Sequence, residues 1–296
     1  MLPYAQQSIP EGEQIARYTE ELVYVETSDR LVLEGAVIRP ASQARTTALI
    51  WIHGLTGKFY APSSVLTGRV LAERGYAMIT GNNRGHDFGT MIRDTGGKAV
   101  LAGGGWERFD ESPRDVLAWI DCAERLGFKR VVLLGHSLGG LKVVYFQAKH
   151  QDARVAGLVA ASPPLRAGHS DPALLAQAEM MVAEGRGNDL LPWGTSPAGA
   201  GTHSAQTYLN RVRSNIDVYG HDTPDPPVAQ IRCPILAIYG TNEAWVGSAP
   251  DLDVIERNAT SAPRVQKTMI EGADHIYTDK QPELAKILAD WMDTLG

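Results

Sequence analysis

The sequence predicts an α/β fold in which a mostly parallel sheet carries helices on both faces. Short, continuous apolar runs alternate with helix-length segments along most of the chain, and this alternation is typical of βαβ units. The runs have the composition of strands buried on both sides, because crossover helices cover each face of a parallel sheet. Only residues 162–231 break the alternation, and this stretch predicts a helical cap inserted into the fold.

Eight strands are expected in the sheet, and the first two differ from the rest. Residues 21–26 and 31–39 are interpreted as strands joined by a turn at Ser28-Asp29, and they predict an antiparallel edge. The other six strands are the short apolar runs, at residues 47–52, 76–80, 130–134, 155–160, 234–239 and 265–270.

Helices are expected between these strands and at the end of the chain, at residues 62–74, 112–126, 138–150 and 281–295. Gly75 is well placed to end the first helix. Ser112 and Pro113 suit the start of the second, as N-cap and first helical residue. The insertion carries two further helical patches, at residues 172–184 and 204–214. Residues 82–106 are rich in glycine, so they are expected to be irregular.

These elements divide the chain into three parts. Residues 1–20 are expected to form an N-terminal arm, residues 21–161 and 232–296 the α/β core, and residues 162–231 the cap or lid. The cap follows a strand of the sheet, which places it above the carboxyl ends of the strands. Ligands bind in that position in open α/β sheets.

The composition excludes several classes of function. The chain has 296 residues, of which 44% are hydrophobic, and its net charge of -6 argues against nucleic-acid or polybasic membrane partners. It has no apolar signal segment at the start and no apolar run of the ~18 residues that a membrane span needs. Cys122 and Cys233 are expected to be free thiols, which suits a reducing compartment, so a cytoplasmic location is predicted.

The strongest functional motif is Gly135-His136-Ser137-Leu138-Gly139, which lies between a predicted buried strand and a predicted helix. This context is typical of a nucleophile on a sharp strand-to-helix turn. Glycine is required two residues to either side because a β-carbon there would collide with neighbouring elements. Ser137 is therefore predicted to be a catalytic nucleophile.

Four motifs together resemble the α/β-hydrolase superfamily, over roughly residue 21 to the C-terminus. They are His53-Gly54, the six residues 135–140, Tyr239 to Glu243 and Gly272 to His275. The resemblance implies the α/β-hydrolase fold and a serine hydrolase of the esterase, lipase or thioesterase type. Residues 180–187, followed by Leu191-Pro192, resemble the cap segment of a poorly characterised fungal and plant hydrolase group that includes siderophore-esterase-like members.

In this fold the oxyanion hole is made of two backbone amides. One belongs to the residue after the nucleophile, Leu138, and the other to the loop after the strand at 47–52. Leu55 is the expected donor in that loop, and Gly54 lets the chain pass close to the nucleophile. His53 comes too early in the chain to be the base and is expected to brace the loop.

The chain order of the fold is serine, then acid, then histidine. His275 follows the last strand and is predicted to be the general base. Glu243 follows the strand before it and is the favoured acid. Aspartate is the more usual acid, and three others remain possible, namely Asp251, Asp253 and Asp274.

Four residues are candidates for substrate binding: Gly54, His136, Trp193 and Tyr208. Trp193 and Tyr208 could line an apolar pocket of the cap together with Met180 and Met181. Alternatively, these two aromatic residues and two methionines could form the core of the cap. Arg84 is expected to be a structural anchor. No phosphate loop, dinucleotide fingerprint or metal-ligand spacing is found, so no cofactor and no metal are expected.

The sequence therefore predicts a hydrolase that cleaves a small or medium-sized carboxylic ester or thioester through an acyl-serine intermediate. The same residues could support acyl transfer, cyclisation or C–C bond hydrolysis, and the fold can also serve as a non-catalytic ligand receptor. A homodimer is possible. An aspartate-nucleophile enzyme is disfavoured because residue 137 is serine.

Overall fold

The computed structural model describes residues 17–42, 44–165, 171–195, 201–214, 216–243 and 245–296. The strands in chain order are β1 (Tyr18–Glu26), β2 (Val32–Pro40), β3 (Thr47–Ile52), β4 (Met78–Gly81), β5 (Thr90–Arg93), β6 (Ala99–Ala102), β7 (Arg130–His136), β8 (Val155–Ala161), β9 (Ile235–Gly240) and β10 (Val265–Ile270). The helices are α1 (Pro62–Glu73), α2 (Ser112–Arg125), α3 (Leu138–His150), α4 (Pro172–Ala183), α5 (Ala205–Arg213), α6 (Ala249–Asn258) and α7 (Gln281–Asp293).

Eight strands form one sheet, in the order β1-β2-β4-β3-β7-β8-β9-β10. β1 and β2 are antiparallel, and β2 is antiparallel to β4. The other neighbouring pairs, formed by β4, β3, β7, β8, β9 and β10 in that order, are parallel. The predicted fold class is confirmed, with the first two strands at an antiparallel edge. Because the parallel strands end at the same edge, the loops after β3, β7, β9 and β10 meet above it.

Side chains of the central strands alternate between the two faces of the sheet. In β3, Ile50 and Ile52 lie in the core that is covered by α2, α3 and α6. Leu49 and Trp51 lie in the opposite core, which is covered by α1 and α7. Burial on both faces explains why the strand is a continuous apolar run.

Element boundaries differ from the predicted ones by a few residues. Residues 18–20, predicted to belong to the arm, form the start of β1 and pair with β2. The rest of the predicted arm, up to residue 16, lies outside the described residues. α2 begins at Ser112 as expected, but Glu111 is its N-cap and Pro113 its second residue.

The structure also contains a hairpin and a helix that were not predicted. The segment at 82–106, expected to be irregular, contains the hairpin β5–β6. Its turn is held by the Asp94 carboxylate, which accepts hydrogen bonds from the amides of Gly96 and Lys98. Helix α6 lies between β9 and β10 and begins at a capping box formed by Ser248 and Asp251.

Helices α4 and α5 lie between β8 and β9, within the segment predicted as the cap. They pack on each other around a small core of their own, made of Ala178, Met181, Leu191, Ala205, Tyr208 and Leu209. Within the ranges that the structure describes, no helix is both long and apolar enough to cross a membrane.

Candidate active site

Ser137 lies on a sharp turn between β7 and α3. Its backbone has φ 54° and ψ -126°, a strained conformation for a residue with a β-carbon. The turn is possible only because its flanking residues lack side chains. A β-carbon on Gly135 would lie 2.2 Å from the carbonyl oxygen of Gly139, and one on Gly139 would lie 2.1 Å from that of Ile52. The predicted strand–turn–helix context of Ser137 is present.

The loop after β3 passes close to this turn. A β-carbon on Gly54 would lie 2.7 Å from the Ser137 β-carbon and 3.1 Å from the Leu138 amide nitrogen. Leu138 is the first residue of α3, where backbone amides have no partner inside the helix. Within the described part of the chain, no hydrogen bond from the amide of Leu55 or Leu138 is seen. The contact at Gly54 brings the loop that carries Leu55 to the turn that carries Ser137 and Leu138.

His275 and Glu243 are brought together by the loops after β10 and β9. His275 Nδ1 donates a hydrogen bond of 2.8 Å to Glu243 Oε2. Because a buried carboxylate can only accept, the proton of the neutral imidazole resides on Nδ1 and Nε2 is left as the basic nitrogen.

The Glu243 carboxylate is fully buried and is fixed at its other oxygen as well. Oε1 accepts hydrogen bonds from the Gly240 amide and from the Ser162 hydroxyl, the latter at 2.6 Å. The Tyr277 hydroxyl lies 2.7 Å from Ser162 Oγ and donates to it, because the Ser162 proton is already engaged. Ser162 and Tyr277 were not predicted. Ser162 follows the carboxyl end of β8, a position that could have identified it.

The three aspartates left open as alternative acids have other partners. Asp251 accepts from the Ser248 amide at the start of α6. Asp253 pairs with Lys267, and Asp274 accepts from the amides of Ile276 and Thr278. The structure therefore places Glu243, rather than an aspartate, at the His275 ring.

His136 has a different place from the substrate-binding position predicted for it. Its ring is buried, and Nε2 donates a 2.7 Å hydrogen bond to the backbone carbonyl of His275. Burial, and then the nearby His275, lower the pKa of His136 to about 4. A neutral His136 thus ties the loop that carries His275 to the residue before Ser137.

The two aromatic candidates of the predicted cap have different surroundings. Tyr208 lies in the small core between α4 and α5, and its hydroxyl accepts a hydrogen bond from the Asp171 amide. Trp193 is 76% exposed, so it is not part of that core, and its contact with substrate stays a prediction. Met181 is buried beside Tyr208, whereas Met180 is exposed.

A buried polar network supports the loop after β3, and sequence analysis identified only its first member. His53 Nδ1 donates to the Gly54 carbonyl, and Nε2 accepts from the Asn83 amide. Asn83 also donates to the His53 carbonyl and accepts from Lys142. His53 therefore braces the loop.

Lys142 is the buried cation of this network. Its ammonium group donates to Glu107 Oε2 at 2.6 Å, and Arg211 of α5 donates to Glu107 Oε1 at 3.2 Å. Burial alone would raise the pKa of Glu107, but the Lys142 and Arg211 charges outweigh it and hold that pKa below its usual value. The cluster joins α3, the predicted cap and the loop after β3.

Arg84, predicted to be an anchor, lies in a second buried ion cluster. Its guanidinium contacts the carboxylates of Asp115, Asp29 and Glu111. This geometry agrees with a structural role.

Replacing Lys142 with methionine is expected to lower the free energy of unfolding by about 3–5 kcal/mol, because Glu107 would lose a partner in a buried site. Urea unfolding measures this change. The matched control is Lys149→Met at the exposed C-terminal end of the same helix, which should stay within about 0.5 kcal/mol of the wild type. An equally small effect of Lys142→Met would contradict the interpretation.

Three buried histidines make stability depend on pH. Burial, with Lys142 next, lowers the pKa of His53 to about 3, and burial, with Arg211 next, lowers that of His203 to about 3. His136 behaves alike, with a pKa of about 4. In the unfolded chain a histidine titrates near pH 6.5, so the unfolded state binds more protons between about pH 6.5 and 4.

Stability is therefore highest above pH 6.5 and is expected to fall as the pH is lowered through this window. Each histidine contributes roughly 1 kcal/mol per pH unit to the slope. Urea unfolding at pH 6.5, 5.5 and 4.5 measures this loss of stability. His203→Phe, which keeps a ring against Tyr208, should remove the contribution of one histidine to the slope. A wild type equally stable at pH 4.5 and 6.5 would disprove this.

Among the described residues, no group of three histidine, cysteine, aspartate or glutamate side chains could hold a metal ion.

Comparison with known proteins relates most of the chain to one fold. A family model described as the alpha/beta hydrolase fold matches residues 47–277. Similar solved structures include the alpha/beta hydrolase GrgF from Penicillium sp. sh18, with 18% identity and a TM-score of 0.69 over 94% of this chain and 98% of that chain. A search of the curated proteins finds no match.

Two further solved structures have a similar fold. Est1E from Butyrivibrio proteoclasticus, with ferulic acid bound, has 18% identity and a TM-score of 0.67, over 92% of this chain and 98% of that chain. The esterase PF2001 from Pyrococcus furiosus has 19% identity and a TM-score of 0.61, over 94% of this chain and 92% of that chain.

Proposed function

We propose that this chain, which belongs to the α/β hydrolase fold family, hydrolyses carboxylic esters or thioesters through an acyl intermediate on Ser137. The observation that carries the proposal is the convergence at one sheet edge of a serine on a strained turn and an imidazole oriented by a buried carboxylate. The similar structure from Pyrococcus furiosus is that of an esterase, which agrees with this reaction.

In the first half of the reaction, Ser137 Oγ forms a bond to the carbonyl carbon of the substrate, and its proton passes to His275 Nε2. Glu243 stabilises the resulting imidazolium through the Nδ1 hydrogen bond. The C–O or C–S bond to the leaving group then breaks, and the imidazolium gives its proton to the departing alkoxide or thiolate. The acyl group remains on Ser137.

In the second half, water takes the place of the alcohol. His275 removes a proton from water as it attacks the acyl carbon, and the same proton returns to Ser137 Oγ when the acid leaves. In both halves the carbonyl oxygen carries negative charge, and the Leu55 and Leu138 amides are the groups proposed to stabilise it. One such donor is typically worth about 10²–10³ in rate.

Labelling with a fluorophosphonate probe tests the proposal. The wild type is expected to be labelled, and Ser137→Ala is expected to lose the label entirely. Ser63→Ala, at a partly buried position in the first turn of α1, is the matched control and should be labelled like the wild type. A folded wild type that resists the probe while binding a ligand tightly would instead favour a non-catalytic receptor.

A further inference from the structure

We infer that the indole of Trp245 forms the binding site for the alcohol part of the substrate, and that this alcohol is aromatic or otherwise large and apolar. The inference rests on the proposed function, since it assigns the leaving-group side of that same reaction. Sequence analysis did not single out Trp245.

Trp245 is presented to solvent beside the base. It follows Glu243 by two residues, is 69% exposed, and makes an edge-to-face contact with the His275 ring at 5.1 Å between centroids and 61° between planes. Ile276, next to His275, is 55% exposed. Single exposed apolar residues are ordinary on protein surfaces. What distinguishes this one is its contact with the proposed proton donor.

The backbone around Trp245 is held by a hydrogen bond and by close packing, so the loop itself keeps the indole exposed. The amide of Val246 donates a 2.9 Å hydrogen bond to the Glu243 carbonyl, and Val246 itself is buried. The next residue must be glycine, because a β-carbon on Gly247 would lie 2.3 Å from the Tyr239 ring. The turn that carries the triad acid therefore also holds the indole outward.

The sheet order assigns this indole to the leaving-group side. The nucleophile and the Leu138 amide follow β7, and the loop with the Leu55 amide follows β3, which is the neighbour of β7 on one side. The loops with Trp245 and His275 follow β9 and β10, which lie on the opposite side of β7. A carbonyl oxygen bound by the amides points towards β3, so the leaving group points towards β9 and β10.

Proton delivery places the alcohol beside the imidazole. Since Nδ1 is bonded to Glu243, Nε2 must come within about 3 Å of the departing oxygen. The first atoms of the alcohol then lie next to the His275 ring, and hence next to Trp245. An indole offers a large, rigid apolar surface that favours aromatic partners. The acyl group extends elsewhere from the carbonyl carbon.

Two ester series test the inference. In one the acyl group is always acetyl and the alcohol is methyl, benzyl or 2-naphthylmethyl; in the other the alcohol is always methyl and the acyl chain varies. Trp245→Ala is expected to lower kcat/KM about tenfold for the two aromatic alcohols and to leave every methyl ester within about twofold. Trp245→Phe should recover part of the loss, and Tyr24→Ala, an exposed aromatic residue on the edge strand β1, should change nothing.

A loss that is equal for all esters would overturn the inference, because Trp245 would then act only by positioning His275. A loss that follows the acyl chain would also overturn it. Binding of 2-naphthylmethanol to Ser137→Ala, measured by calorimetry, gives a readout without turnover. The added Trp245→Ala change should weaken binding about tenfold.

The two proposals fail in different ways. If the wild type hydrolyses no ester of either series, the proposed function fails. If binding of 2-naphthylmethanol is the same with and without Trp245, the subsite is refuted, whatever the hydrolysis result.

Discussion

Replacing Ser137 with alanine is expected to lower kcat for ester hydrolysis by about 10⁶, the largest effect of any substitution in this chain. Without the hydroxyl no acyl intermediate can form, and the imidazole and the amides have no nucleophile to assist. Alanine has the same β-carbon, so the strained turn at φ 54° is no less favourable and the fold should be retained. Steady-state rates and circular dichroism measure the two effects.

The control for this experiment compares the two single variants of Ser137 and His275 with the double variant. In a three-residue machinery that acts as a unit, His275→Ala alone should cost nearly as much as Ser137→Ala, and the double variant should lose nothing more. Ser137→Ala that keeps a tenth or more of wild-type kcat would mean that another group attacks the substrate.

Glu243→Gln is expected to lower kcat by about 10⁴ with KM little changed. The Gly240 amide can only donate, so the glutamine oxygen must face it and the glutamine NH₂ must face His275. Nδ1 then becomes the acceptor and the ring proton moves to Nε2. In that tautomer Nε2 cannot take the Ser137 proton. The pH–rate profile and kcat of the purified variant test this prediction.

The matched control for Glu243→Gln is Asp253→Asn, because Asp253 was an alternative acid on sequence grounds. Its carboxylate is exposed on α6 and pairs with Lys267, so kcat should stay within about twofold of the wild type. A larger loss from Asp253→Asn than from Glu243→Gln would reverse the assignment of the acid.

The fold and the order of the site residues were predictable because they depend on local patterns. Apolar runs bounded by turns mark the parallel strands, and the glycines around Ser137 follow from a clash that any sharp strand-to-helix turn would produce. The family resemblance is confirmed by the match over residues 47–277. The parallel sheet then determines which loops meet.

Glu243 was the favoured acid on sequence grounds, but the sequence left three aspartates open as alternatives, because the choice depends on how one connection folds. Helix α6 was not expected, and it turns Asp251 and Asp253 to its own cap and to Lys267. Only Glu243, in the tight turn directly after β9, remains next to His275. A helix with a Pro and an Asp in its first turn could have been recognised at Ser248.

Long-range polar contacts were also beyond the sequence pattern. Lys142 lies on a helix that is apolar on most sides, and a lysine there would ordinarily be placed at the surface. Its buried partner, Glu107, is 35 residues away, directly after the glycine-rich segment that was expected to be irregular. Likewise, the apolar character of Tyr208 did not reveal whether it faced a substrate or the core of the cap, and the structure places it in that core.

The covalent step is tested most directly by mass spectrometry of the protein quenched with acid during turnover of 4-nitrophenyl butyrate. One added butyryl group per chain is expected, located by peptide mapping on Ser137 and missing from Ser137→Ala. Steady turnover with no adduct on Ser137, or an adduct on another residue that Ser137→Ala leaves unchanged, would contradict it.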